Sequence, residues 1–590
     1  MIARNRTFLF LLTFVILLSA LAGCGKNREQ TSRPDDPSFT EFTGEVFRHY
    51  AASDSLSLNY LLVHPENYGI EKPQPTFGTY GREAFTEDLL YAKTQLEARS
   101  TFDYASLSDE QQLTYDILFQ SLEESVDAEK FLYFGDVLSP TIGLQAQLPI
   151  LLAEYSIYEK ADFDYYLALL ETLPAYFDQI IAFEREKKEA GTFMAKSCAE
   201  NVVKQIEGFI SNPDANLLIV IFDERVNAFD GLTEEEKSDF RERNRTAVLN
   251  AVIPAYRAVA DALTELNADN TRTGGLSSLE NGAAYYEWLV KASTGSAKTV
   301  SGIEAMIDDA LSASIEKIRE VYQSNPSAYD QTDAPDYPAS EPNEILDYLK
   351  GAIPEMFPAL DDDGYILKSV DKSLEDFASP AFYLLPPIDD PSRNIIYINN
   401  GAQTENSNLF STLAHEGYPG HLYQTVYFRK ADRDPVRSIL SFDGYIEGWA
   451  TYVERMSYEL AGLDADVAAV LAANDLATLC MYAKVDIGVN AHAWDLEDVA
   501  LYLSEFGISN EEATREMYDA MVAEPANYLK YTVGCIEILQ LKNAAREAWG
   551  SDFKDKTFHE FLLGIGPATF DVISDRLDRR SADGSVKAAA

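Results

Sequence analysis

In the stretch "TEEEKSDFRERNRTAVLNAVIPAYRAVADAL", residues 233–263, the side chains Val248, Val252, Tyr256, Val259 and Leu263 recur at intervals of three and four. That spacing puts all five on one side of an α-helix, which must bury the stripe against a neighbour. Thr233 with Glu236 reads as a capping box at the helix start, and Pro254 is expected to kink the helix. A second capping box, Ser108 with Gln111, opens "SDEQQLTYDILFQSLEE". Strand signals are sparse. The best is "NIIYINNG", Asn394 to Gly401, β-rich and closed by a turn signal. The expected fold class is mainly α, a large helical structure with a small β element, and no internal repeat is visible.

The chain opens "MIARNRTFLFLLTFVILLSALAGCGKN". Arg4 and Arg6 precede an apolar run from Phe8, and small residues precede Cys24, the pattern of a secretory signal rather than of folded structure. Leu21-Ala22-Gly23-Cys24 looks like a bacterial lipobox, which implies cleavage before Cys24 and lipidation of that thiol. Residues 1–23 are thus expected to be a lipoprotein signal peptide and 24–40 a lipidated cysteine with a polar, proline-containing tether. The expected location is extracytoplasmic, lipid-anchored to the bacterial cell membrane.

The loop-like stretches 267–278 and 323–343 suggest an N-terminal helical half, 41–270, and a C-terminal half, 271–590, that carries the chemistry. Each is equally readable as a surface loop in one continuous domain, 41–590. Beyond Cys24, Cys198, Cys480 and Cys535 are widely spaced, so at most one disulfide is expected. A net charge of −48 disfavours nucleic acid as a partner.

Two of the six histidines fall in "STLAHEGYPGHLYQ", residues 411–424. His415 is followed at once by Glu416, as in the zinc-protease signature H-E-x-x-H. The second histidine, His421, comes six residues later instead of four. In a regular helix positions six apart sit about 240° apart, so the two could not hold one ion. Pro419 and Gly420 intervene, and a local bulge there is expected to return His421 to the same side.

An open zinc site needs a third protein ligand. In "SFDGYIEGWATYVERM", residues 441–456, Glu447 and Glu454 share a helical face. Seven residues separate them by roughly 10 Å along the axis, so only one can reach the ion. Glu447 is preferred, because it lies among Tyr445, Ile446 and Trp449 and is followed by Gly448. Glu454 lies beside Arg455, a setting for a surface charge or one that supports a ligand.

"HEGYPGHLYQ", "YIEGWATYVERM", "VDIGVNAHAW" and "PANYLKYTVGCIEILQLK" together resemble the signatures of domain of unknown function family 885, bacterial and often lipoprotein members of the gluzincin-like metallopeptidase group. The resemblance extends over nearly all of the mature chain. It implies a mostly helical, cleft-forming fold similar to carboxypeptidase Taq and angiotensin-converting enzyme. It further implies one Zn²⁺ per chain on His415, His421 and Glu447, with Glu416 as general base and Tyr531 in the cleft. Two positions depart from the family pattern: Asn490 stands where a histidine is expected, with His492 two residues later, and Asn527 follows Pro525-Ala526 in place of glutamine.

The implied function is a zinc-dependent peptidase that hydrolyses peptide bonds with metal-activated water. Tyr531 is the first candidate for stabilising the oxyanion and His492 the second. "RNIIYINNG" is a candidate edge strand for pairing with an extended peptide, which makes Arg393 and Asn400 candidate substrate contacts together with Asn490. The same residues are also compatible with plain sheet core. Two alternatives stay open: a peptide-binding lipoprotein without turnover, which Glu416 disfavours, and a zinc amidase acting on non-peptide amides.

Overall fold

A computed structural model describes residues 33–582, apart from 141, 361–363, 371, 373–374, 376–378, 391, 402–407 and 432. The signal segment and Cys24 lie outside the described residues. The fold is mainly α-helical, with one small three-stranded sheet. Both capping boxes form: Ser108 caps Asp109–Asp127, and Thr233 caps Glu234–Ala247. The five stripe residues are all buried.

Pro254 acts more gently than a helix break. Glu234–Ala247 passes into a π-helical turn, Val248–Val252, and then into Ile253–Asn267, with the proline in the first turn of the last segment. The wider turn takes up the hydrogen bond the proline cannot donate, so the apolar stripe continues through it.

The largest apolar cluster lies under helices Lys160–Ala190, Lys196–Ile210 and Ile253–Asn267, and it also takes in Val485, Val489 and Met521 from the C-terminal part. A second cluster surrounds Trp449 and holds Leu413, Tyr418, Tyr445 and Leu562 with Leu113 and Ile117. Cys198, Cys480 and Cys535 are free and buried.

The sheet consists of β1 (Tyr365–Ser369), β2 (Ala381–Leu384) and β3 (Asn394–Ile398), in the order β1-β3-β2. β1 runs parallel and β2 antiparallel to β3, with Tyr383 opposite Ile396. The expectation that "RNIIYINNG" supplies an edge strand is therefore overturned. β3 is paired on both sides and all five of its residues are buried. A continuous run of apolar β-branched residues suits a central strand. The edge beside the site is β2.

Candidate metal centre

The segment from 409 to 430 does not form one helix with a bulge, as the sequence suggested. Helix Leu409–Glu416 ends, and a new helix, His421–Lys430, begins at the second histidine. Gly417, Tyr418, Pro419 and Gly420 make the connection between them. Gly420 packs directly on the end of the first helix, where a Cβ would stand 1.7 Å from the carbonyl oxygen of His415, so no other residue fits. The buried Trp449 donates its indole N–H to Pro419 O at 2.9 Å. This bond ties the connection to the helix that carries Glu447, Asp443–Leu460. The break re-aims the second histidine, and the ring centroids of His415 and His421 lie 4.8 Å apart.

Glu447 reaches both rings. Its Oε2 lies 3.6 Å from Nε2 of His415 and 3.3 Å from Nε2 of His421. Donor atoms of these three residues fall within 4.8 Å of one another, and all three side chains are mostly buried. Ligands about 2.1 Å from a tetrahedral zinc stand roughly 3.4 Å apart, so two imidazoles and a carboxylate at these spacings fit that ion.

Glu447 sits where two helices nearly touch. A Cβ on Gly448 would stand 2.4 Å from the backbone of Gly534, and one on Gly534 would stand 2.0 Å from Gly444 O. Glycine facing glycine lets helix Asp443–Leu460 lie against Asn527–Trp549. The latter brings Tyr531 and Lys530 to the site: Tyr531 is 6.3 Å from His415, ring centre to ring centre, and Lys530 Nζ is 3.8 Å from Glu447 Oε1. Lys530 also lies over the Tyr531 ring at 5.2 Å. The sequence reading missed Lys530, although it is the immediate neighbour of a residue that was singled out.

Glu454 takes the other ring edge of His415, with Oε2 3.1 Å from Nδ1, and accepts from Ser411 Oγ at 3.3 Å. Glu416 accepts from the backbone N–H of Tyr383 in β2 at 2.9 Å. Burial raises the pKa of Glu416 above the usual carboxylate range, with His415 and His421 opposing the shift. Burial works against the charge on His415, but hydrogen bonds to Glu447 and Glu454 outweigh it and hold that imidazole well above its ordinary value. Glu447 is held well below the usual carboxylate range, because its bonds to the two histidines outweigh burial. Burial and the charges of Glu447 and Glu416 push the Tyr531 hydroxyl far up.

Four other candidates are placed away from this cluster. His492 follows the end of helix Ala465–Ala491, half exposed, with Nε2 3.0 Å from Glu304 Oε2. Asn490 is completely buried. It donates to Asp486 O at 3.2 Å and Met521 O at 3.0 Å, and accepts from Leu276 N at 2.9 Å, so its amide braces three segments and has nothing left for a substrate. Arg393 donates to Ser156 Oγ and Tyr158 OH, both at 3.2 Å. Asn400 donates to Ser369 Oγ at 3.0 Å, just past the end of the central strand. Asn490 and His492 rest on the family resemblance and Arg393 and Asn400 on the strand reading, and the hydrogen-bond partners of all four lie outside the cluster.

No curated protein matches this chain. A solved structure described as a candidate lipoprotein from Colwellia psychrerythraea superposes with a TM-score of 0.81 at 18% identity, over 92% of this chain and 99% of that one. A candidate lipoprotein of unknown function from Shewanella oneidensis gives a TM-score of 0.64 at 17% identity, over 92% of this chain and 100% of that one. At such identities the likeness is one of fold. A family model described as bacterial protein of unknown function (DUF885) matches residues 66–577, and the chain belongs to that family.

Proposed function

We propose that the protein is an extracytoplasmic, lipid-anchored, zinc-dependent peptidase. One observation carries this reading: His415, His421 and Glu447 bring donor atoms together, while Glu416, adjacent in sequence and buried beside them, is not one of the three and accepts from the backbone of β2. Three ligands with a separate buried carboxylate beside them are the components of water-based amide hydrolysis. Pure binding has no use for the fourth group. The lipid anchor rests on Leu21-Ala22-Gly23-Cys24, supported by the description of two structural neighbours as candidate lipoproteins.

When bound, zinc supplies a water of pKa about 7 and polarises the carbonyl under attack. Glu416 would take the proton of the attacking water and pass it to the leaving amine; burial raises its pKa above the usual carboxylate range. Tyr531 donates its hydroxyl proton as a hydrogen bond to the oxyanion that develops on the former carbonyl oxygen. Its strongly raised pKa keeps that hydroxyl protonated. Glu454 fixes the ring plane and tautomer of His415 through Nδ1. The edge strand β2 borders the base and offers backbone groups to an extended peptide.

The direct test is metal analysis of the purified protein by mass spectrometry, with digestion of a peptide library by the same preparation. Stoichiometric zinc with internal or terminal cleavage products is expected. Metal-free protein that still cleaves peptides would exclude this mechanism.

A further inference from the structure

The helix that begins at His421 carries Gln424, Thr425 and Phe428 on the same side as the histidine, at offsets of three, four and seven. That stripe borders a cavity of about 310 Å³, together with Tyr383 of β2, Leu385 just after it, and Ile446, the neighbour of Glu447. Two of these residues tie the cavity to the reacting groups. His421 belongs to the triad, and the backbone N–H of Tyr383 is held by Glu416.

The polar groups of the wall are committed to the protein itself. Arg437 donates to Ile565 O and Pro567 O, and Arg429 to the carbonyls of Pro386 and Pro387. The Gln424 side chain is hydrogen-bonded to Tyr445, Ser441 Oγ donates to Asp443, and the Tyr383 hydroxyl donates to Asn394. The hydroxyls of Thr425 and Ser438 aside, a ligand meets carbon, from Leu385, Phe428, Ile439, Leu440, Ile446 and Pro567. Leu385 is 57% exposed on the rim. A carboxylate placed here would lose its water and find no free donor, and an ammonium would in addition face two guanidinium groups. Neither charge has a place. At about 310 Å³ the cavity stands at the lower end of the range for small-ligand pockets, with room for one large side chain.

The strand supplies the direction. β2 is an edge strand, and its Tyr383 N–H meets Glu416 on the side away from β3. Tyr383 and Leu385, two residues apart, both border the cavity, so it lies on one face of that edge. A peptide paired with the edge carries every second side chain on the same face.

We infer that this cavity is the specificity subsite for a large apolar side chain, such as that of phenylalanine or leucine, on the substrate residue next to the bond that is cut. The inference rests on the peptidase reading of the adjacent triad. His421 is at once a proposed ligand and part of the wall, which places the occupant beside the reacting carbonyl.

The test uses the zinc-loaded full chain carrying Glu416→Gln, so that probes are bound and not consumed. Four peptides, N-acetyl-dialanyl-X-dialanine amide with X as phenylalanine, alanine, lysine or glutamate, are titrated calorimetrically. The phenylalanyl peptide is expected to bind about tenfold more tightly than the alanyl one, and the two charged peptides no better than the alanyl one. Equal binding of the phenylalanyl and alanyl peptides overturns the subsite, as does a charged peptide that matches the phenylalanyl one. Two variants, checked for folding by circular dichroism, locate the preference. Leu385→Asp places a charge on an exposed rim position, and Thr425→Phe fills the cavity from its wall. Each should lower the phenylalanyl-to-alanyl ratio and leave alanyl binding near that of the parent. A ratio unchanged in both folded variants overturns the assignment to this cavity. Because binding is read without turnover, an apolar preference in a protein that proves not to hydrolyse peptides leaves the subsite standing and removes the peptidase reading alone.

Discussion

Glu454 Oε2 lies 3.1 Å from Nδ1 of His415, on the ring edge opposite the one that faces Glu447 at 3.6 Å. One imidazole is thus held between two carboxylates seven residues apart on the same helix, and on the proposed assignment one shares an ion with it and the other orients it. The expected consequence is a graded effect. Glu447→Ala removes a ligand and should cost far more zinc affinity than Glu454→Ala, for which loss of an orienting partner costs about 10–100-fold. Competition with a chromogenic chelator measures both. Equal losses, or a larger loss at Glu454, would reverse the two roles.

Glu416→Gln should retain zinc and lose most hydrolysis. The substitution keeps the shape of the side chain and removes its ability to accept a proton, a contribution of about 10²–10⁴ in rate. Bound metal and turnover are measured on the same sample. A variant that loses its metal would instead make Glu416 part of the ion's support.

Tyr531→Phe should lower kcat by about 10²–10³ while leaving zinc affinity unchanged, the signature of a lost oxyanion donor. Steady-state kinetics separates this from a packing role, which would act on thermal stability and leave kcat near wild type.

Much of this centre is legible in the sequence, because its residues announce themselves by type and local spacing. His415 beside Glu416, and Glu447 among aromatics before Gly448, are statements about one helix turn each. The route by which His421 returns is not local. It depends on a helix break sealed by Trp449 thirty residues away, and a one-dimensional reading sees only that Pro419 and Gly420 permit something irregular. The edge strand was misassigned for a related reason. β3 has the stronger β pattern because it is the buried middle strand, whereas β2 is four residues, "AFYL", with a weak signal of its own.

Gly448→Ala should destabilise the protein by about 1–3 kcal/mol and weaken zinc binding as well, because the added methyl would meet Gly534 at 2.4 Å and force apart the helices that carry Glu447 and Tyr531. Thermal unfolding with and without zinc reads the two effects. An unchanged melting temperature would show that the glycine contact does not set the helix spacing.

His559 makes stability depend on acid. Burial lowers its pKa to about 4, and its neutral ring donates from Nδ1 to Met356 O at 2.7 Å while Nε2 accepts from Tyr452 OH at 2.8 Å. Lys542 in turn donates to the Tyr452 oxygen at 2.7 Å, which leaves the phenolic proton for the imidazole. The unfolded chain binds this proton near pH 6.5 and the folded chain only near 4, so stability is full above that window and falls as pH drops through it. The loss approaches 3 kcal/mol, on the order expected for this shift. Urea unfolding of wild type and His559→Gln from pH 7.5 to 4 measures it. The variant should be less stable at neutral pH and should show a shallower fall with acid.

The most direct test of the central claim is a titration of zinc into chelator-treated protein with peptide hydrolysis followed at each addition. The account predicts activity that rises in proportion to bound zinc and reaches its plateau at one ion per chain. Hydrolysis that is full before zinc is added, or absent at every zinc concentration in folded protein, would contradict it.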